Sequence, residues 1–178
     1  MSEKELIQGC IRENRTYQRA LYQRYAGKMM TVCLRYARHR LEAEDILQDG
    51  FIKVFDNMHK FQFKGSFEGW VRRIMINTAL KNYRKSSFQK ERIGLEDYEF
   101  DSADPKVLNY LSEQEILKAI SKLPDGYKIV FNLYVIEGYS HDEIAKTLGI
   151  KASTSRSQLV KARRMLQKML LKLESIVV

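Results

Sequence analysis

One stretch, Tyr139 to Leu166 (YSHDEIAKTLGIKASTSRSQLVKARRML), constrains this chain more than any other. Ser140 followed three residues later by Glu143 is the pattern of a capping box, in which two helix-start amides are satisfied reciprocally. Ile144, Ala145 and Leu148 then recur at helical spacing. Gly149 supplies the left-handed residue that commonly ends a helix. Ile150 is placed to plug between two helices, and Ser153 or Thr154 is expected to cap the second. The inward stripe of that second helix is Ser155, Leu159, Ala162 and Leu166, spaced four, three and four. Its outward side carries Arg156, Ser157, Gln158, Lys161 and Arg164. The pattern is a helix-turn-helix.

A solvated helical hairpin would show the same caps and stripes, and charge separates the two readings. From Lys146 to Val178 there are eight Lys or Arg and a single acid, Glu174. A face that merely meets water has no reason to be so one-sided, whereas a helix in the major groove needs Arg, Gln and short polar side chains for base edges and cations for phosphates. The whole chain is also basic, with 31 Lys plus Arg against 22 Asp plus Glu, net +9. Both facts point to a polyanion, and the capped helices favour duplex DNA over an acidic membrane surface.

The composition is 44% hydrophobic and 30% charged over 178 residues, with two prolines and nine glycines. That is enough for one domain or two small ones, and it predicts an all-α fold. No apolar run reaches the roughly 20 residues a membrane span needs. The N-terminal MSEKELIQG lacks a signal core, so a cytoplasmic chain is expected. Cys10 and Cys33 are too few for a disulfide framework and read as small buried hydrophobes. No Cys/His cluster has metal-ligand spacing, and His39, His59 and His141 read as surface or helix-end residues.

Upstream, Glu5 to Glu13 reads as a short helix carrying Leu6, Ile7, Cys10 and Ile11. Asn14 is placed to cap a longer helix to about His39, with Tyr17, Leu21, Tyr25, Val32 and Tyr36 inward and Arg15, Arg19, Arg24 and Lys28 on the wetter side. In the helix from Leu41 to Met58, a core stripe of Leu47, Phe51, Val54, Phe55 and Met58 opposes Asp45, Gln48, Asp49 and Ile52. An acidic face containing an isoleucine, inside a basic protein, suits a basic protein partner better than DNA. The loop Phe61 to Ser66 (FQFKGS) follows, and Ser66 is expected to cap a helix from Phe67 to about Lys85. Phe67, Val71, Ile74 and Thr78 form its inward stripe. Trp70, Arg73, Asn77, Lys81 and Arg84 form a second stripe that joins an aromatic to three cations. Separated DNA strands need that combination: a ring for an unstacked base and charges for the backbone. The competing reading makes Trp70 core and Phe61 and Phe63 loop anchors.

From Ser86 the periodicity fades, and Glu96, Asp97, Glu99, Asp101 and Asp104 cluster in an expected linker, 87–106. Helical spacing resumes at Val107 with Leu108, Leu111, Ile116, Leu117 and Ile120, and stops at Leu123-Pro124. Asp125 begins another helix, with Ile129, Val130, Leu133 and Tyr134 expected inward and Gly138 ending it.

The order of these parts resembles a bacterial RNA polymerase sigma factor of the extracytoplasmic-function type. The resemblance runs from about Tyr17 to Leu171. It is carried by LEAEDILQDGFIKVF, by FKGSFEGWVRRIMINTALKNYRK, and by LPDGYKIVFNLYVIEGYSHDEIAKTLGI with STSRSQLVKARRML. It implies two small helical domains, 1–86 and 107–178, joined by a flexible acidic linker, with the second ending in the helix-turn-helix. By this likeness Asp45, Gln48, Asp49 and Ile52 face core RNA polymerase. Phe61, Phe63, Lys64, Ser66, Trp70, Arg73, Asn77, Lys81 and Arg84 hold the displaced strand of the minus-ten promoter element. Arg156, Ser157 and Val160 reach bases of the minus-thirty-five element, with Gln158 beside them and Thr154, Lys161 and Arg164 nearer the phosphates. The polymerase supplies the chemistry, so neither a catalytic residue nor a cofactor is implied, and an anti-sigma protein is a further implied partner. Lys151, Ala152 and Ser153 depart from the usual Ser-Glu-Gly of the family, and Ser155 stands where an apolar residue is usual.

The two elements lie nearly two duplex turns apart by the same likeness, roughly 60 Å. A free 20-residue coil averages about 25 Å. The chain would therefore span both at an entropic cost unless the polymerase held it extended, and the five acids are placed to lie in a channel built for RNA. Two rivals remain. A free-standing helix-turn-helix regulator leaves the Trp70 stripe without a role. A DNA recombinase needs a nucleophile constellation that the sequence lacks.

Overall fold

The computed structural model describes residues 1–90 and 113–177, and these are helical throughout, apart from turns. The chain divides into two compact units, Met1–Ser86 and Ser87–Val178. The five clustered acids of the expected linker, and the start of the helix expected from Val107, lie outside the described residues.

The first unit holds α1 (Glu3–Ile11), α2 (Arg15–Tyr36), α3 (Arg40–Asp56), a 3-10 turn (Met58–Lys60) and all but the last four residues of α4 (Phe67–Lys90). Helix α1 starts two residues earlier than its apolar spacing suggests. Ser2 accepts from the Glu5 amide while the Glu5 carboxylate accepts from the Ser2 amide at 2.7 Å, a second capping box. Of its apolar residues Leu6, Ile7 and Cys10 are buried, whereas Ile11, which ends the helix, is 42% exposed. Asn14 caps α2 as expected, its Oδ1 accepting from the Thr16 amide at 2.9 Å. His39 caps α3 in the same way, its Nδ1 accepting from the Glu42 amide at 3.2 Å. α2 packs on both α1 and α3. At Gly9 the approach is so close that a Cβ would collide with the Tyr17 ring, and one at Gly50 would collide with the Met75 side chain.

Leu21, Tyr25, Met29, Val32, Ile46, Val54, Met58, Phe67, Val71 and Met75 form the core of this unit. Each such side chain removed from water contributes about 1.5–3 kcal/mol before chain entropy is set against it. Cys10 and Cys33 lie in the same interior, and burial pushes their thiols up to about 11 and about 12. They stay protonated and unreactive at neutral pH. Helix α4 runs to Lys90, five residues past its expected end, because 86–90 contains no breaker.

The second unit holds α5 (Glu113–Ser121), α6 (Asp125–Phe131), a π-helical turn (Asn132–Ile136), α7 (His141–Leu148) and α8 (Ala152–Val177). Its core joins Ala119, Ile120 and Leu123 to Ala162, Leu166 and Leu170 of α8, with Tyr127 and Phe131 packed against them. Pro124 separates α5 from α6. Ile129, Val130 and Leu133 are buried as their spacing predicts, but Tyr134 is 36% exposed. The π turn explains this: an extra residue in the turn rotates Tyr134 out of the inward stripe. Gly138 ends the segment at φ +75°. Among the described residues no helix is long and apolar enough to cross a membrane.

Candidate nucleic-acid interface

The helix-turn-helix is built as its sequence requires. Ser140 and Glu143 form the capping box of α7, with Ser140 Oγ accepting from the Glu143 amide at 3.2 Å. Gly149 closes the helix at φ +72°, and its amide donates to the Ala145 carbonyl at 2.9 Å. Only Ile150 and Lys151 then separate Gly149 from α8. The expected cap at Ser153 or Thr154 is therefore corrected. The helix begins at Ala152, and the Lys151 carbonyl already accepts from the Ser155 amide at 3.1 Å. So short a connection leaves no room for a later start.

The expected inward stripe of α8 is buried in full: Ser155, Leu159, Ala162 and Leu166. Opposite them Arg156, Ser157, Val160, Lys161 and Arg164 are exposed, with Thr154 and Gln158 half-buried at the margins. Val160 is 46% exposed, an apolar side chain on a face otherwise polar and cationic. Such a residue suits contact with a thymine methyl group.

In the first unit, α4 carries the aromatic and cationic stripe. Ser66 Oγ accepts from the Gly69 amide at 3.3 Å, and the Ser66 carbonyl accepts from the Trp70 amide at 3.1 Å, so Ser66 starts the helix as expected. Arg73, Asn77, Lys81 and Arg84 are exposed in a line, and Trp70 is half-buried at its head. Trp70 packs on Phe61 and Phe67, with ring centroids 5.5 and 5.6 Å away, and Phe61 also contacts Phe63 at 5.2 Å. Phe61 is only 7% exposed, whereas Phe63 is 48% exposed. The loop thus places one phenylalanine as a floor and offers the other to solvent.

Phe63 does so at φ +57°, and Gly65 follows at +86°. A bulky side chain in the left-handed region is held there by its surroundings at a cost of about 1–3 kcal/mol. Lys64 and Ser66 are exposed beside it. Two contacts fix α4 against the rest of the unit: Lys28 Nζ to Glu68 Oε2 at 2.6 Å, and Lys53 Nζ to Thr78 Oγ1 at 2.9 Å.

On α3, Asp45, Gln48, Asp49 and Ile52 are all exposed, and Ile52 is 58% exposed. Leu41, one turn before Asp45, is 70% exposed and extends the apolar part of this face. Sequence reasoning assigned Leu41 no role, although its spacing of four residues from Asp45 was there to be read.

The sequence profile of Sigma-70 region 2 matches residues 21–89, and that of Sigma-70 region 4 matches residues 113–166. The chain is 30% identical over 153 residues to the extracytoplasmic-function sigma-E factor of Escherichia coli strain K12, covering 79% of each chain. This chain belongs to the extracytoplasmic-function RNA polymerase sigma factors. As such it is an initiation factor that directs RNA polymerase to promoters, and it is not itself an enzyme. The corresponding factor of Haemophilus influenzae is 29% identical over 160 residues, covering 83% of this sigma factor and 84% of its own length. The SigE factor of Mycolicibacterium smegmatis is 31% identical over 157 residues, which cover 85% of this chain but 61% of that protein. Among solved structures, the sigma factor RpoE of Bartonella quintana, crystallised with the anti-sigma factor NepR, shares the fold. Its TM-score is 0.52 at 20% identity, over 85% of this chain and 95% of that one.

Proposed function

We propose that this sigma factor reads a promoter with two separate surfaces, one for a melted strand and one for intact duplex. The observation that carries the reading is the segregation of side chains onto three exposed helix faces. Trp70, Arg73, Asn77, Lys81 and Arg84 lie along α4 next to the exposed Phe63 and Lys64. Rings and cations side by side hold an unstacked strand. Phe61, beneath Trp70, braces that surface, and Ser66 starts the helix that carries it.

On α8, Arg156, Ser157 and Val160 are placed to reach base edges, with Gln158 beside them, while Thr154, Lys161 and Arg164 take phosphates. Asp45, Gln48, Asp49 and Ile52 of α3 form the docking face for the polymerase, since an acidic face repels DNA and suits a basic protein surface. The five acids between Glu96 and Asp104 lie in the segment that joins the two domains, where their charge suits a basic channel of the polymerase. An anti-sigma protein, as in the Bartonella complex, is a further partner.

The test is reconstitution. Core polymerase from the same organism is mixed with the purified chain, and the holoenzyme selects binding sites from a randomised duplex library. Selected sites should contain two short elements at fixed spacing and should support transcripts that begin at one position. A chain that binds a single element as tightly without polymerase, and yields no transcript with it, would be a free-standing regulator instead.

A further inference from the structure

Ser155 lies in the first turn of α8, immediately before Arg156 and Ser157, and its side chain is fully buried. Its hydroxyl is 2.9 Å from Nδ1 of His141, the first residue of α7. The His141 ring is stacked on Tyr134 of the π turn, with centroids 4.4 Å apart and planes 20° from parallel. The Arg163 guanidinium of α8 lies over the same Tyr134 ring at 6.0 Å. One imidazole therefore joins three elements: the π turn it stacks on, the helix it starts, and the first turn of the helix whose outer face carries the base-reading residues. A buried hydroxyl that loses its partner is costly, so the imidazole and the first turn of α8 are held together.

We propose that His141 is a positioning residue for base readout, its bond to Ser155 setting where Arg156 and Ser157 stand as α8 enters the groove. This rests on the reading of α8 as the helix that enters duplex DNA. The charged and titratable groups facing the ring are Asp142 on α7, Arg156 and Arg163 on α8, and Tyr134 on the π turn. Protonation of His141 would add a third cation beside the two arginines and oblige Nδ1 to donate. The Ser155 hydroxyl can donate to or accept from Nδ1, so the contact serves either tautomer of the neutral ring. Direct contact of the ring with DNA is not required, because the effect is transmitted through Ser155.

The test uses the full chain bound to core polymerase, at one fixed salt concentration. The probe is a labelled duplex selected by that holoenzyme, compared with a scrambled duplex of equal length. His141→Phe keeps a ring on Tyr134 but removes both nitrogens, and Ser155→Ala removes the hydroxyl with little change of shape. Each should lower the ratio of selected to scrambled binding by about tenfold, within the range expected when one base contact is misplaced. The double variant should be no worse than either single one. His141→Asn, whose amide falls near the Nδ1 position, should recover more of the ratio than His141→Gln.

A purely structural role predicts that binding to both probes falls together, or that the single losses multiply in the double variant, and either result overturns the proposal. Ser155→Ala decides the matter even if the phenylalanine variant fails to fold. Arg156→Ala provides the separate check. If it lowers the ratio and Ser155→Ala does not, only the joint is refuted. If Arg156→Ala has no effect, the assignment of α8 falls and the joint falls with it.

Discussion

The Lys53 ammonium of α3 donates to the Thr78 hydroxyl of α4 at 2.9 Å, and that hydroxyl donates in turn to the Ile74 carbonyl at 2.8 Å. The helix carrying the acidic face and the helix carrying the aromatic and cationic face are thus tied by a partly buried polar link. Thr78 is 1% exposed, so its hydroxyl is shut off from water, while Lys53 is half-buried. Thr78→Val should destabilise the first unit by about 1–3 kcal/mol, the cost of leaving the ammonium without its acceptor. Urea denaturation of the full chain, followed by the fluorescence of Trp70, measures it.

The two crowded glycines should respond unequally. At Gly9 an added methyl meets the base of a rigid tyrosine ring, whereas at Gly50 it meets the flexible end of Met75. Gly9→Ala should therefore cost about 1–3 kcal/mol as overpacking, and Gly50→Ala should cost less as the thioether moves aside. Thermal melts of the two variants beside the parent give the order.

Arg73→Ala should weaken promoter opening without disturbing the fold, because Arg73 is exposed. Trp70→Ala should weaken opening further, by about tenfold to a hundredfold, the span expected for loss of one base stack. Part of the tryptophan effect will be structural, since Trp70 also covers Phe61 and Phe67. Permanganate reactivity of unpaired thymines reports opening, and binding of a minus-thirty-five duplex should be unchanged in both variants.

On α8 the two kinds of contact should separate by their salt dependence. Arg156→Ala should cost about 1–3 kcal/mol and relax the preference at one base pair. Arg164→Ala should weaken binding evenly across sequences and reduce the slope of affinity against salt by about one. Filter binding over a range of potassium concentrations distinguishes the two outcomes.

His141 should titrate below the ordinary histidine value, because burial first, and then Arg156 and Arg163, disfavour its charged form, with Asp142 opposing them. A folded value below the unfolded one means that the unfolded chain takes up the proton first. Stability of the second unit is then fully present above about pH 6.5 and declines as pH falls through that value toward the folded one. Proton NMR of the imidazole gives the folded value. In His141→Phe this part of the pH dependence should vanish.

Much of this was legible in the sequence, because the decisive signals were periodic or local. The stripe of α8 emerged on the face its spacing assigns, those of α3 and α4 did so except that Phe55 and Ile74 are only half-buried, and the Ser140 capping box and Gly149 stop stand where they were read. The same capping pattern at Ser2 and Glu5 was equally readable, yet the apolar spacing alone pointed to a later start for α1. Other features depend on geometry that a periodic pattern does not encode. A 3.6-residue spacing places Tyr134 inward, and only the π turn takes it out. A sequence offers Phe61 and Phe63 as equivalents, and only the loop's left-handed residue separates floor from surface. His141 carried no signal as a lone histidine. Its significance lies in Ser155, fourteen positions away and made its neighbour by the turn between α7 and α8.

The extra residue in the π turn alters the arithmetic of the segment that follows it. Removing either Val135 or Ile136 would return the coil to ordinary pitch, and what remains before Gly138 would swing by about 100° around the axis. His141, which follows the turn, would then be carried off the Tyr134 ring, although every helix could still form. A chain one residue shorter would keep nearly the same composition and lose the backstop of its DNA-facing helix, so what is stored in that turn is a phase rather than a side chain.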